Sequence, residues 1–95
     1  MFFIPRVNVI ESDEGFIVEV LGRVGVRYTE GTRTMFVDSE VLAPNSPSGL
    51  VVYQSSIKGW DAPHDAEAFG GQARERVLDN IRRAFRFRGL EIEVI

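Results

Sequence analysis

Ninety-five residues supply chain for one hydrophobic core and not two, because a domain of this size removes only roughly 60 to 65% of its unfolded surface from water. A hydrophobic fraction of 44%, with seven Phe, two Tyr and one Trp, excludes a disordered or fibrous chain, and zero Cys excludes a disulfide framework and thiolate chemistry. Fourteen acidic against eleven basic residues give a net charge of -3, which argues against general nucleic-acid binding.

At the start of the chain, Phe2-Phe3-Ile4 is cut short by Pro5 and Arg6 before a signal-peptide core can form, and no apolar run reaches the roughly 20 residues of a membrane span. A cytoplasmic protein is the expectation, in keeping with the absence of Cys. Arg6 to Glu11 alternates in polarity and reads as a first strand, closed by the turn residues Ser12-Asp13-Glu14-Gly15. In Phe16 to Leu21, alternation puts Phe16, Val18 and Val20 on one face and Ile17, Glu19 and Leu21 on the other, which predicts a half-buried strand. Val24, Val26 and Tyr28 form the apolar side of a third strand, and the turn at Glu30-Gly31 leads to a fourth over Thr34 to Asp38, where Met35 and Val37 oppose Thr34, Phe36 and Asp38.

Ala43 to Gly49, with Pro44 and Pro47, is the clearest loop. Leu50 to Gln54 is apolar enough to be a strand buried on both faces, and Lys58 to Glu67 is irregular. Phe69, Ala73, Val77, Ile81 and Phe85 recur every four residues, widened by Leu78 and Ala84, so an amphipathic helix is expected over Gly71 to Arg88 with Gly89 as its stop. Leu90 to Ile95 alternates and closes the chain as a last strand. These elements predict an α+β fold with one domain over residues 1–95. It is a two-layer sandwich with a mainly antiparallel sheet of five to six strands and one helix, which crosses over if the Leu50 and Leu90 strands lie parallel.

No constellation points to catalysis or to a cofactor. His64 is the only histidine, and although Asp61 and Asp65 flank it, a zinc site needs three or four ligands that this segment does not supply. The bland alternative is an exposed His64 beside an aspartate that caps a turn. Ser55 and Ser56 follow a strand but lack the Gly-x-Ser-x-Gly elbow of an activated nucleophile, and strand-end hydroxyls commonly satisfy loop backbone instead. Gly70-Gly71 opens the helix without the lysine of a phosphate-binding loop.

Charge is unevenly spread: Met1 to Asn45 holds seven acids and four Arg, whereas Gly70 to Gly89 holds six Arg against Glu75 and Asp79. Arg82, Arg83, Arg86 and Arg88 complement the negative end of the helix dipole, and the competing use of that cluster is a phosphate-contacting face in a nucleic-acid-binding regulator. Trp60, the one tryptophan, is expected to seal a corner of the core.

Ser39-Glu40 and the stretch Tyr53-Gln54-Ser55-Ser56-Ile57-Lys58-Gly59-Trp60-Asp61-Ala62-Pro63, followed by a helix ending near Gly89, resemble the Immunity protein 74 family of bacterial polymorphic-toxin systems. The resemblance implies a non-enzymatic protein without cofactor or metal, monomeric or homodimeric, that binds a cognate toxin domain and protects the producing cell. Nucleic acid is not the partner it implies. A mildly acidic chain suits a basic partner, and the residues expected to meet it are Asp61, His64, Asp65 and Glu67, which one irregular loop can present together.

Overall fold

The computed structural model describes residues 1–23, 25–43, 45 and 48–95. Seven strands, β1 (Phe2–Arg6), β2 (Val9–Ser12), β3 (Phe16–Val20), β4 (Gly25–Glu30), β5 (Arg33–Val41), β6 (Leu50–Val52) and β7 (Ile92–Val94), lie side by side in chain order. One helix, α1 (Gly71–Phe87), joins the last two. Neighbours pair antiparallel as far as β6, while β6 and β7 run parallel. A parallel pair needs a long crossover, and α1 supplies it.

The α+β reading and the mainly antiparallel pairing therefore stand, but the sheet has more strands than the five to six expected. It is also not a flat layer of a sandwich: it curls, because β5 pairs with β4 through Arg33 to Asp38 and with β6 through Ser39 to Val41. The additional strand comes from the start of the chain. Arg6 to Glu11 is not one strand: Arg6 ends β1, Val7 and Asn8 turn, and β2 begins at Val9. Asn8 makes the turn by adopting a left-handed backbone, φ 69°, which asparagine tolerates better than most residues. Pro5 fits in β1 because that strand is an edge, and its register shifts between Phe3 and Arg6.

The core forms where the strand alternation meets the helix stripe. Val18 from β3, Val26 and Tyr28 from β4, Met35 and Val37 from β5, and Leu50 and Val52 from β6 pack in one cluster with Val77, Ile81, Ala84 and Phe85 of α1. All three residues of β6 are buried, as its unbroken apolar run predicts. Val24 and the prolines of the Ala43 to Gly49 loop lie outside the described residues.

The helix ends one residue before the expected Arg88, and its stop is the expected one. Gly89 takes φ 80°, its amide bonds the Arg86 carbonyl, and the Leu90 amide bonds that of Phe85, the paired bonds of a Schellman ending. Leu90 is thereby part of the helix terminus, and β7 starts only at Ile92. Trp60 is buried as expected, its ring 6.3 Å from Tyr28 and edge-on to Phe69 at 5.6 Å.

Candidate functional site

The irregular segment after β6 runs beside β5 and fixes the surfaces on that side of the molecule. β6 pairs only with the last three residues of β5, so the earlier part of that edge needs other partners for its backbone groups. The segment provides them: the Tyr53 amide bonds the Asp38 carbonyl at 3.0 Å, the Asp38 amide bonds Ser56 Oγ at 2.9 Å, and the Asp61 amide bonds the Thr34 carbonyl at 2.8 Å. Ser56 Oγ also donates to the Tyr53 carbonyl at 2.7 Å. Its hydroxyl thus serves loop backbone, as the sequence suggested for a strand-end serine.

Asp61, His64, Asp65 and Glu67 do share one loop, but they do not form one uniform patch. Glu67 receives two hydrogen bonds from Arg33, at 2.7 and 3.0 Å, and lies 2.6 Å from His64 Nδ1. The bond from Arg33 holds the Glu67 carboxyl below its ordinary range against a small burial effect, with His64 adding to it. His64 is half-buried rather than exposed, with Nε2 3.5 Å from Thr32 Oγ1. No aspartate side chain caps the turn; the main chain closes it, the His64 amide bonding the Asp61 carbonyl at 3.0 Å. Glu67 and His64 therefore pin the loop to the β4–β5 hairpin, while Asp61 and Asp65 are exposed and have no ion-pair partner among the described residues.

The arginine end of α1 is less basic than its residue count implies. Arg83 makes a two-pronged contact to Glu14 and bonds Asn80 at 3.3 Å, and Arg86 reaches Glu91 at 3.1 and 3.2 Å. Two turns before Arg83, Arg76 binds both oxygens of Glu30 at 3.0 Å. Glu30 also accepts from the buried Tyr28 hydroxyl at 2.5 Å, and Asn80 donates to that hydroxyl at 2.8 Å. Burial pushes the Glu30 carboxyl up, but the bonds from Arg76 and Tyr28 outweigh it and leave it below its usual range. A hollow of about 490 Å³ beside this network is lined by Glu14, Glu30, Arg76 and Asn80, all of which already bond one another or their neighbours.

A second hollow, of about 290 Å³, opens where β5 changes partners, lined by Asp38, Ser39, Glu40 and Tyr53. Here the two separated pieces of the sequence motif meet, because the Tyr53 hydroxyl donates to Glu40 at 3.1 Å. That bond and the Glu40 charge hold the Tyr53 hydroxyl above its ordinary value, so tyrosine stays the donor. The side chains of Asp38 and Glu40 point away from the core, and the register places Glu93 in the same row as Glu40, one strand further on with Val51 between them. None of these three acids has an ion-pair partner among the described residues. Residue-type patterns had pointed only to the later loop; the signal for this place was the Ser39-Glu40 and Tyr53 pairing within the motif.

Among the described residues, no group of three or more His, Asp or Glu is gathered to hold a metal ion, and no helix is long and apolar enough to cross a membrane. The family model for Immunity protein 74 matches residues 17–95, which run from within β3 through β7 and leave the β1–β2 hairpin outside. No curated protein and no solved structure matches the chain.

Proposed function

The chain belongs to the Immunity protein 74 family, and from that premise we propose that it protects its producing cell by binding a cognate toxin domain in the cytoplasm. It acts as a single binding domain of a polymorphic-toxin system, without cofactor and without catalysing a reaction. The observation that carries the reading is the family match over residues 17–95. The distribution of paired and unpaired charge supports it. Three of the five arginines of α1 are matched by carboxylates, whereas the exposed Asp38, Glu40, Asp61 and Asp65 have no ion-pair partner among the described residues, an arrangement that attracts a basic protein surface.

Of the loop residues, Asp61 and Asp65 are the contacts in this reading, and His64 and Glu67 hold the loop in place. Rim charges of this kind steer association more than they add affinity. Asp61→Lys combined with Asp65→Lys is expected to slow association with the toxin domain about tenfold at low salt. Unchanged association would remove the loop from the interface. Cells that express the toxin domain are expected to survive only when this chain is co-expressed, and death despite co-expression would overturn the function itself.

A further inference from the structure

We propose that toxin recognition is centred on the uncovered face of β5, where Phe36 stands at one end of a row with the unpaired acids Asp38 and Glu40 as an aromatic anchor for a basic, locally apolar surface of the toxin. This rests on the reading of the partner as a toxin domain and adds where that partner sits. Met35, Val37 and Ser39 turn toward the core, so Phe36, Asp38 and Glu40 project from the other side of the same strand. The helix packs against the first of these faces and leaves the second open.

Phe36 is 46% exposed, and its ring is seated by the sequence around it. Gly25 lies beneath it on β4: a Cβ there would fall 2.2 Å from two ring carbons. The ring therefore rests on bare backbone, with its outer side available for burial by a partner. Aromatic residues that are already held in place dominate binding energy at protein interfaces, because little side-chain freedom remains to be lost.

Charge selects the occupant. Asp38 and Glu40 follow the ring along the same face of the strand and lack ion-pair partners among the described residues, whereas Arg27 beside Phe36 is already matched by Glu19 at 3.2 Å. Lys58 and Arg23 are exposed, and neither forms an ion pair with these acids. A second copy of this chain would bring like charges together, and a nucleic acid would meet the same repulsion. A basic protein surface meets neither. From Thr34 to Glu40 the strip runs roughly 20 Å at strand spacing, a length suited to the roughly 800 Å² that each partner contributes to a standard interface.

The test uses the full chain and, as the probe, a toxin domain taken from a gene adjacent to its own, with binding followed by surface plasmon resonance at two ionic strengths. Phe36→Ala is expected to weaken affinity about 30-fold or more, as loss of a central anchor does. Asp38→Lys with Glu40→Lys is expected to slow association about tenfold and to flatten its salt dependence, while Lys58→Glu leaves it equal or faster. Thermal melts of each variant separate lost binding from lost folding, and the charge variants stand alone if Phe36→Ala melts early. If the wild-type chain binds and the Phe36 and acid variants stay within about threefold of it, the placement on β5 is wrong while the toxin reading survives. If the wild-type chain does not bind, both fall.

Discussion

The two faces of the sheet are built from neighbouring residues of the same strands, yet they use charge in opposite ways. On the helix side, each carboxylate near the boundary has an arginine: Glu14 with Arg83, and Glu30 with Arg76. On the far side, Asp38 and Glu40 stand without a basic partner beside an exposed Phe36. The first arrangement docks one element of the chain onto another, and the second leaves two carboxylates exposed. Solvent-exposed ion pairs contribute little to stability, roughly 0 to 1 kcal/mol each. The helix side must therefore be held mainly by apolar contact, with the arginines setting how the helix sits.

Substitutions that separate the two faces follow, and the largest effect belongs to the covered one. Trp60→Ala removes a ring stacked on Tyr28 and edge-on to Phe69 and is expected to cost about 3 to 5 kcal/mol, measured by urea melts; an unchanged midpoint would show that the corner is not part of the core. Gly25→Ala strikes the open face, since its new methyl group meets the Phe36 ring, and a cost of about 1 to 3 kcal/mol is expected. That cost should largely disappear in a Phe36→Ala background. If it persists, the ring is not what the glycine accommodates.

Tyr28→Phe returns to the covered face, where the hydroxyl joins Asn80 to Glu30, and about 1 to 2 kcal/mol is expected to be lost near neutral pH. Burial, with the bond to Glu30 and its charge, raises the Tyr28 hydroxyl well above its ordinary value, against a smaller opposing bond from Asn80. Because the folded-state value is the higher one, this contribution is complete below the unfolded value of about 10 and declines as pH rises above it. The gap between wild type and Tyr28→Phe should thus narrow from about pH 10 upward; a constant gap would contradict the buried placement. The smallest effect is expected at Ser39, whose Oγ is buried and makes no hydrogen bond among the described residues. Ser39→Ala should leave stability unchanged or raise it by up to roughly 1 kcal/mol, since a desolvated hydroxyl without a partner is removed.

Periodicity read well wherever burial was one-sided. The stripe from Ala73 to Phe85, the alternation in β3 and β4, and a last strand after the helix all appear in the structure, while the parallel direction of that strand was settled only by the fold. It read poorly where a single backbone choice decided the outcome. Asn8 folds back what looked like one strand, and nothing in the apolar pattern marks that reversal. β5 extends three residues past Asp38 because its partner changes there, a tertiary event that local alternation does not encode. The site was legible in part. The shared loop of Asp61, His64, Asp65 and Glu67 followed from sequence, but the binding of Glu67 by Arg33, 34 residues away, did not. The meeting of Glu40 with Tyr53 likewise required the fold.

The strand that displays Phe36 is the one that buries Met35 and Val37, and a slip of a single residue would exchange the two sets. The interior thereby fixes the spacing of what is shown outside, without sharing side chains with it. A change at 36 or 40 is therefore answered by Gly25 under the ring or Tyr53 beside the carboxylate, and the interior does not have to be rebuilt for it.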